Sequence, residues 1–428
     1  MRGFFLLLVC AGAAPAVAQQ PDSMPTATMQ ISLDEAVRRA LTVQPAMVQA
    51  EGDRRNTNAG MRTAFGAFLP TFSSNASASR SNQSRIDFTT GQPIPPQYTY
   101  TVGLSASLDL FDGFRRLANV RAASANGDAA DAGVTNQRFQ VTLQTKQIFY
   151  DALAREELVT VAQAQVKRAQ QQLDISVQKL NAGSATRSDS LRSAVDLGNA
   201  RLALLQAEAN LATAQANLGR QVGVDAPVRA EPDTALPQMP DTAALRQDAV
   251  GSAPLVLQAD AQARAASAGI WSARSQYFPS LTVSYNDNRQ GTGTLFSNPE
   301  TFSWRFGLSW TLFNGGTREQ QQVSASVQRD VARARAADTR RQINAQLTQQ
   351  IAALGTSFTQ IGIATENVAA ATEDLRVNQE RYRVGAGTIL DLLTSQASLT
   401  QAQTDLVQAR FNYSIALAQL EALVGHSL

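Results

Sequence analysis

Chemistry needs side chains that can attack, bind a metal or carry a proton, and this 428-residue chain holds few of them in any useful pattern. It has one cysteine, Cys10, and one histidine, His426. A Ser-His-Asp triad, histidine acid–base catalysis and a metal site built on imidazole or thiolate all ask for more than these two residues supply. No Gly-rich phosphate loop occurs. Asp and Glu number 35, and paired carboxylates are the machinery of glycoside hydrolysis. Here, however, they fall at the spacing of solvated helix faces, interspersed with Lys and Arg. The expectation is therefore no catalytic residue, no cofactor and no metal site. The net charge of +2, from 37 basic and 35 acidic residues, offers no basic face to nucleic acid.

The ends bound the compartment. Residues 1–18 read as a secretory signal peptide: Arg2, an apolar run from Phe4 to Cys10, and Ala16-Val17-Ala18 ahead of Gln19 as a small-residue cleavage site. Cleavage would remove Cys10, and disulfides with it. Val9 before Cys10 is larger than the residue that lipoprotein processing usually needs, so a lipid anchor is not expected. Past residue 18 no apolar stretch reaches the length of a membrane-spanning helix. An exported chain of this kind is soluble, peripheral, or membrane-spanning as β-structure.

The chain is also duplicated. Leu110-Phe111-Asp112-Gly113 returns as Leu312-Phe313-Asn314-Gly315, and Val222-Gly223 as Val424-Gly425. Pro45 and Pro70 are answered by Pro254 and Pro279 at a slightly larger offset. The difference is confined to one loop, between about residues 83 and 96, which is longer in the first copy. Loops lie outside a packed core and tolerate such insertions. The expected organisation is an N-terminal linker at 19–30, a first repeat at 31–224, a Pro-rich linker at 225–241, a second repeat at 242–425 and a short tail at 426–428.

Each repeat contains a long proline-free span, Gln97 to Ala226 and Glu300 to Leu428, where very long helices can form. Leu392, Leu399, Leu406, Tyr413 and Leu420 recur every seven residues, with Ser395, Ala402, Ala409, Ala416 and Leu423 three places after each. Leu197, Leu204, Leu211 and Leu218 repeat the pattern in the first copy, interleaved with Ala200, Ala207 and Ala214. Such a seam of alternating large and small residues predicts coiled coil. The preceding helices, about Phe114 to Leu180 and Thr317 to Val384, reverse at tip turns 181–186 and 384–388. Glycine in those turns supplies the left-handed geometry that ends a helix, and Thr caps the next one.

The other end of each repeat predicts a β-hairpin, about 68–111 and 277–313. Tyr98, Tyr100, Val102, Leu104, Ala106 and Leu108 alternate with Thr, Gly and Ser, and Phe302, Trp304, Phe306, Leu308 and Trp310 alternate with Ser, Arg, Gly and Thr. This is period-two patterning with an aromatic-rich apolar face. No apolar segment is left over to cover that face, so lipid is its expected neighbour, while the Ser/Thr/Asn face suits a water-filled lumen. A membrane barrel must close, and four strands are too few. More than one chain must therefore share the barrel.

These residues carry a family resemblance. Tyr382-Arg383-Val384-Gly385-Ala386-Gly387-Thr388-Ile389-Leu390-Asp391-Leu392-Leu393, running on to Ala409-Arg410-Phe411-Asn412-Tyr413, together with Phe313-Asn314-Gly315-Gly316, resembles the TolC-type outer membrane efflux proteins. The resemblance implies a mixed α and β membrane protein. Three chains would form a 12-stranded outer-membrane barrel continuous with a 12-helix periplasmic tunnel. It also implies the partners: a periplasmic adaptor and an inner-membrane efflux pump or ABC-type secretion transporter. Ser188, Asp189, Tyr382 and Asp391 match positions at the family's periplasmic gate. Gly387 stands where some members carry arginine, so Asp189 cannot form that salt bridge, and Thr394 replaces one acidic residue of an entrance ring. The turns at Ala182, Gly183 and Ser184, and at Val384, Gly385, Ala386 and Gly387, are where the adaptor would dock. A periplasmic adaptor or a coiled-coil scaffold is the alternative, but neither explains two complete repeats with lipid-suited strands.

Overall fold

The computed structural model describes residues 29–80, 82, 85–86, 89, 91–232, 237–241, 245, 251–292 and 299–428. The expected signal peptide with Cys10, most of the N-terminal linker, and parts of the loops at 83–96 and 291–300 lie outside the described residues. So do parts of the Pro-rich linker and the start of the second repeat. In chain order the elements are β1 (Met29–Ile31), α1 (Leu33–Val43), α2 (Pro45–Gly66), β2 (Thr71–Arg80), β3 (Arg85–Ile86), β4 (Pro93–Ile94) and β5 (Tyr98–Phe111). Then follow α3 (Arg115–Asn181), α4 (Arg187–Val222), β6 (Val228–Ala230), α5 (Pro254–Arg274), β7 (Ser280–Gly291), β8 (Glu300–Ser309), α6 (Thr317–Arg383) and α7 (Ile389–Val424).

Helix dominates because proline is absent where it would interrupt. α3 and α6 are 67 residues each, which at 1.5 Å per residue makes rods of ~100 Å. α4 and α7, 36 residues each, run back along them. The seam points inward: Leu197, Ala200, Ala214 and Leu218 are buried on α4, as are Leu392, Ser395, Leu399, Ala402, Tyr413, Ala416 and Leu420 on α7. α3 packs against α4, α5, α2 and α7, which ties the two repeats together.

β2, β5, β7 and β8 form one antiparallel sheet in the order β2-β5-β7-β8. The ladder shows the duplication residue by residue. Thr71 faces Ser107 and Arg80 faces Tyr98; at the equivalent positions Ser280 faces Ser309 and Arg289 faces Glu300. Cross-strand neighbours share a face. On one face lie Phe72, Leu104, Ala106, Leu108, Val283, Tyr285, Phe302, Trp304 and Phe306. On the other, Ser73 Oγ meets Ser105 Oγ at 2.6 Å and Thr71 Oγ1 meets Ser107 Oγ at 2.8 Å, among further Ser, Thr and Asn side chains. At the loop end of the apolar face Arg80 lies opposite Tyr98, and Arg289 lies between Val102 and Glu300, with Asp287 one step further in, between Leu104 and Phe302. Charge and tyrosine there suit an interface with water rather than hydrocarbon.

Three details differ from the sequence reading. The first strand begins at Thr71 rather than Phe68, because Ala67 to Leu69 finish α2 with hydrogen bonds back to Thr63, Phe65 and Gly66. Trp310 follows the last residue of β8, and its indole N–H donates to the Tyr277 carbonyl at 3.2 Å. Two segments assigned to linkers pair as parallel strands, β1 with β6, joining Met29 to Val228 and Ile31 to Ala230. Three-residue strands carry too little alternation to register as a periodicity.

That small sheet seals a core at the waist of the helices. Ile31, Ala36, Val228 and Ala230 pack with Phe149, Leu153, Leu218 and Val222, and with Phe411 from the second repeat. Beside it, Lys146 forms an ion pair with Glu421, joining α3 to α7. Phe149 is fully buried. Phe149→Ala is expected to cost about 3–5 kcal/mol, the usual range for truncating a core phenylalanine. Reversible denaturation in detergent micelles measures it, with exposed Arg155→Ala as the reference.

Candidate functional site at the helix tips

The helix reversals bring polar groups of both repeats together. Both turns are built alike. α3 ends with the Ala182 N–H on the Gln178 carbonyl and the Ser184 N–H on the Lys179 carbonyl at 2.9 Å, around Gly183 at φ +71°. α6 ends with the Val384 N–H on the Glu380 carbonyl and the Ala386 N–H on the Arg381 carbonyl at 2.8 Å, around Gly385 at φ +81°. A residue with a Cβ is strained in that left-handed well, which is why glycine stands at both positions.

The next helices open with matched capping boxes. Thr186 Oγ1 accepts from the Asp189 N–H at 3.2 Å, and the Asp189 carboxylate accepts from the Thr186 N–H at 3.0 Å. Thr388 and Asp391 repeat the pair at 3.2 Å in both directions, and the Thr388 hydroxyl also donates to Asp391 at 2.8 Å. Hydrogen bonds from the Thr388 side chain and then its backbone hold the Asp391 carboxyl below its ordinary value. Ser188 is exposed and lies beside Leu191, Arg192, Val195 and Leu393 in a shallow groove between α4 and α7.

Tyr382 is where the tips of the two repeats touch. It is only 7% exposed. Lys179 Nζ sits 4.3 Å from the centre of its ring and donates to its backbone carbonyl. The Tyr382 hydroxyl lies 3.4 Å from Ser176 Oγ, a long contact, and Ser176 Oγ in turn meets Ser193 Oγ at 2.9 Å and accepts from Gln172 at 3.1 Å. One lysine thus spans from α3 to the last turn of α6, where helix carbonyls lack intrahelical donors. Desolvation depresses the nearby Arg168 guanidinium, which donates to Thr400 Oγ1 at 3.1 Å across the α3–α7 groove.

Among the expected gate residues, Tyr382 is joined to its surroundings across the repeats, whereas Asp189 and Asp391 spend their carboxylates on their own helix starts. No hydrogen bond or ion pair within the chain connects Asp189 to Tyr382 among the described residues. Sequence reasoning missed Lys179, Ser176, Ser193 and Gln172. The duplication held a signal for them. Gln172, Ser176 and Ser193 are the equivalents of Asp374, Asn378 and Ser395. There Ser395 Oγ donates to Asp374 at 2.5 Å and Asn378 donates to both, at 3.0 Å to Asp374 and 2.7 Å to Ser395. Each hairpin therefore carries a polar pin behind its turn, neutral and buried in the first repeat, and in the second centred on the exposed Asp374 carboxylate with Ser395 buried beneath it. Buried polar contacts in coiled coils fix register more than they stabilise.

Comparison with known proteins bears on what such a molecule does. Residues 36–224 and 245–426 match the family model described as Outer membrane efflux protein. The outer membrane efflux protein BepC of Brucella suis is 24% identical over 355 residues, covering 82% of this chain and 75% of that protein. Protein CyaE of Bordetella pertussis is 28% identical over 423 residues, covering 95% and 85%. Among solved structures, the outer membrane protein VceC of Vibrio cholerae has the same fold, with a TM-score of 0.80 at 20% identity over 92% of this chain and 96% of that one.

The caps and the Asp391 carboxyl yield a test of tip stability. Thr186→Ala is expected to weaken the start of α4 by about 1 kcal/mol, as loss of a side-chain cap does. Asp391 has a folded pKa below its ordinary value of 3.8. Its contribution is fully present above that value and is lost as pH falls through the lowered one. Amide exchange in the first turn of α7, corrected for intrinsic rate, should therefore quicken on acidification, and Asp391→Asn should flatten that response.

Proposed function

This chain belongs to the outer membrane efflux protein family and resides in the outer membrane, and from that premise we propose that three copies share one barrel and one helical tunnel to form a passive exit duct. The observation that carries the reading is a four-stranded sheet whose two edges have no strand partner among the described residues, an aromatic apolar face, and helices of ~100 Å continuing from it. Open sheet edges are not tolerated in hydrocarbon, so neighbours must complete the barrel. Three chains supply twelve strands, a size within the range of bacterial barrels. The apolar face, with Tyr98, Tyr100, Val102, Leu104, Leu108, Phe302, Trp304, Phe306, Leu308 and Trp310, meets lipid, and the polar face lines the lumen.

The duct performs no covalent chemistry. Energy comes from an inner-membrane pump or an ABC-type secretion transporter, linked through a periplasmic adaptor whose tips dock on the turns around Gly183 and Gly385. Drugs, toxins or secreted proteins are the cargo class such a duct serves. The periplasmic entrance opens when the α6–α7 hairpin moves relative to the α3–α4 hairpin. Lys179 and Tyr382 resist that movement from within the chain, and Ser188, Asp189 and Asp391 lie at the same rim. A two-state element of this kind shifts with any partner that binds one state better.

Electron microscopy of detergent-purified protein should show three-fold particles; monodisperse, detergent-free monomers would end the reading. In planar bilayers, Lys179→Met combined with Tyr382→Phe should raise the resting single-channel conductance several-fold, and an unchanged closed level would remove the latch. Gly385→Pro should abolish export while leaving the trimer intact on native gels.

A further inference from the structure

The apolar face of the sheet does not stop where the strands end. Past a register shift after Asp109, Phe111 lies opposite Leu281, and Leu281 lies opposite Leu308, so all three share that face. Phe111 meets Phe114 edge-on with ring centres 5.4 Å apart, and Phe114 meets Phe278 the same way at 6.4 Å. Leu117 and Arg121 follow Phe114 along α3 at helical intervals of three and four. Arg121 shares a shallow groove with Trp271 of α5, and Arg274, the last residue of α5, holds its guanidinium 5.5 Å from the centre of the Trp271 ring. From strand to helix the surface therefore passes from aliphatic side chains through phenylalanine to tryptophan and arginine. The opposite side of α3 is of another kind, with Asn119 and Asn126 in a neutral groove beside Gln258 and Gln262.

The partner of this surface lies outside the chain. Phe114 is the one non-glycine residue with a left-handed backbone among the described residues, at φ 67°, and it is 58% exposed. Its duplicate is Gly316, at φ 82°. A β-carbon is strained in that conformation, and no burial within the chain offsets the strain. Arg264 pairs with Asp128 at 3.1 Å, but Arg121 and Arg274 have no carboxylate partner among the described residues, so the groove is left positive. A neighbouring copy does not cover it: α2 packs on α3, α3 on α5 and α5 on α6, which makes α3 and α5 the inner members of the row and leaves α2 and α6 at its edges. The second repeat does not reproduce the groove, because Val323, Arg62 and Phe65 stand at the positions of Arg121, Trp271 and Arg274.

We propose that this groove binds an anionic phospholipid of the periplasmic leaflet. Arg121 and Arg274 hold the phosphate, Trp271 lies at the level of the glycerol, and Phe114 and Phe278 flank the acyl chain. The inference rests on the lipid-embedded barrel proposed above and adds a lipid site on the helices beneath it. A guanidinium presents a fork of donors that matches phosphate oxygens. An indole prefers the boundary between hydrocarbon and water, with one end dry and the other wet. A zwitterionic lipid would bring its own cation up to the same arginines, so charge selects the anionic headgroup.

Native mass spectrometry of the detergent-purified protein, titrated with phosphatidylglycerol or phosphatidylcholine, decides the matter. Phosphatidylglycerol should stay bound under conditions that strip phosphatidylcholine. Arg121→Gln with Arg274→Gln should weaken phosphatidylglycerol binding about 30-fold, the share of two arginines at an anionic leaflet. Arg55→Gln with Arg187→Gln removes the same charge from exposed positions elsewhere and should leave binding unchanged. Glycerol phosphate alone should not displace the lipid; displacement would mean a site for a free phosphate ester instead. Equal retention of the two lipids, or undiminished binding by the Arg121/Arg274 double variant, would overturn the site and leave the trimer standing. Monomers that need no detergent would overturn the barrel, and the lipid site with it.

Discussion

A backbone N–H or carbonyl that faces hydrocarbon must find a partner in the protein, and this requirement governs the whole molecule. The chain makes four strands suited to lipid and leaves the outer edges of two of them bare. In the proposed assembly, further copies resolve those edges. Closing the sheet into a ring would set the helices that continue from it side by side around the same axis, so the tunnel would be a consequence of the barrel's closure. It also explains why the exposed aromatic side chains of β8 are tolerable: alone in water they would be an aggregation surface.

The periplasmic end answers a different demand. Two helices of 67 residues joined to partners of 36 must reverse direction with their end groups satisfied. Glycine at Gly183 and Gly385 and the Thr186–Asp189 and Thr388–Asp391 boxes make each tip internally self-sufficient. What joins the tips is sparse by comparison: Lys179 reaching the Tyr382 carbonyl and ring, and a long hydroxyl contact to Ser176. Tips capped from within and joined by few contacts are the arrangement that the proposed opening, one hairpin moving against the other, would need.

The architecture was readable because it rests on periodic and punctuating residues. Seven-residue spacing from Leu392 to Leu420, alternation from Phe302 to Leu308, and glycine at Gly183 and Gly385 each have one local physical meaning. The short β1–β6 sheet escaped because three residues per strand show no period, and its pairing depends on a sequence separation of nearly two hundred residues. The contact of Lys179 with Tyr382 escaped for a related reason. A lysine on a helix reads as a solvated face, and only the packing of α3 against the last turn of α6 gives it a carbonyl and a ring to hold. Asp189 and Asp391 were visible as acidic residues at the tips and matched gate positions by resemblance; that their carboxylates close capping boxes with Thr186 and Thr388 came from the local geometry of the helix starts.

The loop between β2 and β5 has its own consequence. Strand pairing ends at Arg80 opposite Tyr98 in the first repeat and at Arg289 opposite Glu300 in the second, so the first repeat has the longer connection, and it carries the little β3–β4 ribbon. Going round the mouth of the proposed assembly, tall and short crests would alternate, so a wall of nearly hexagonal symmetry would bear a triangular crown. An object landing from outside would meet three equivalent docking stations rather than six.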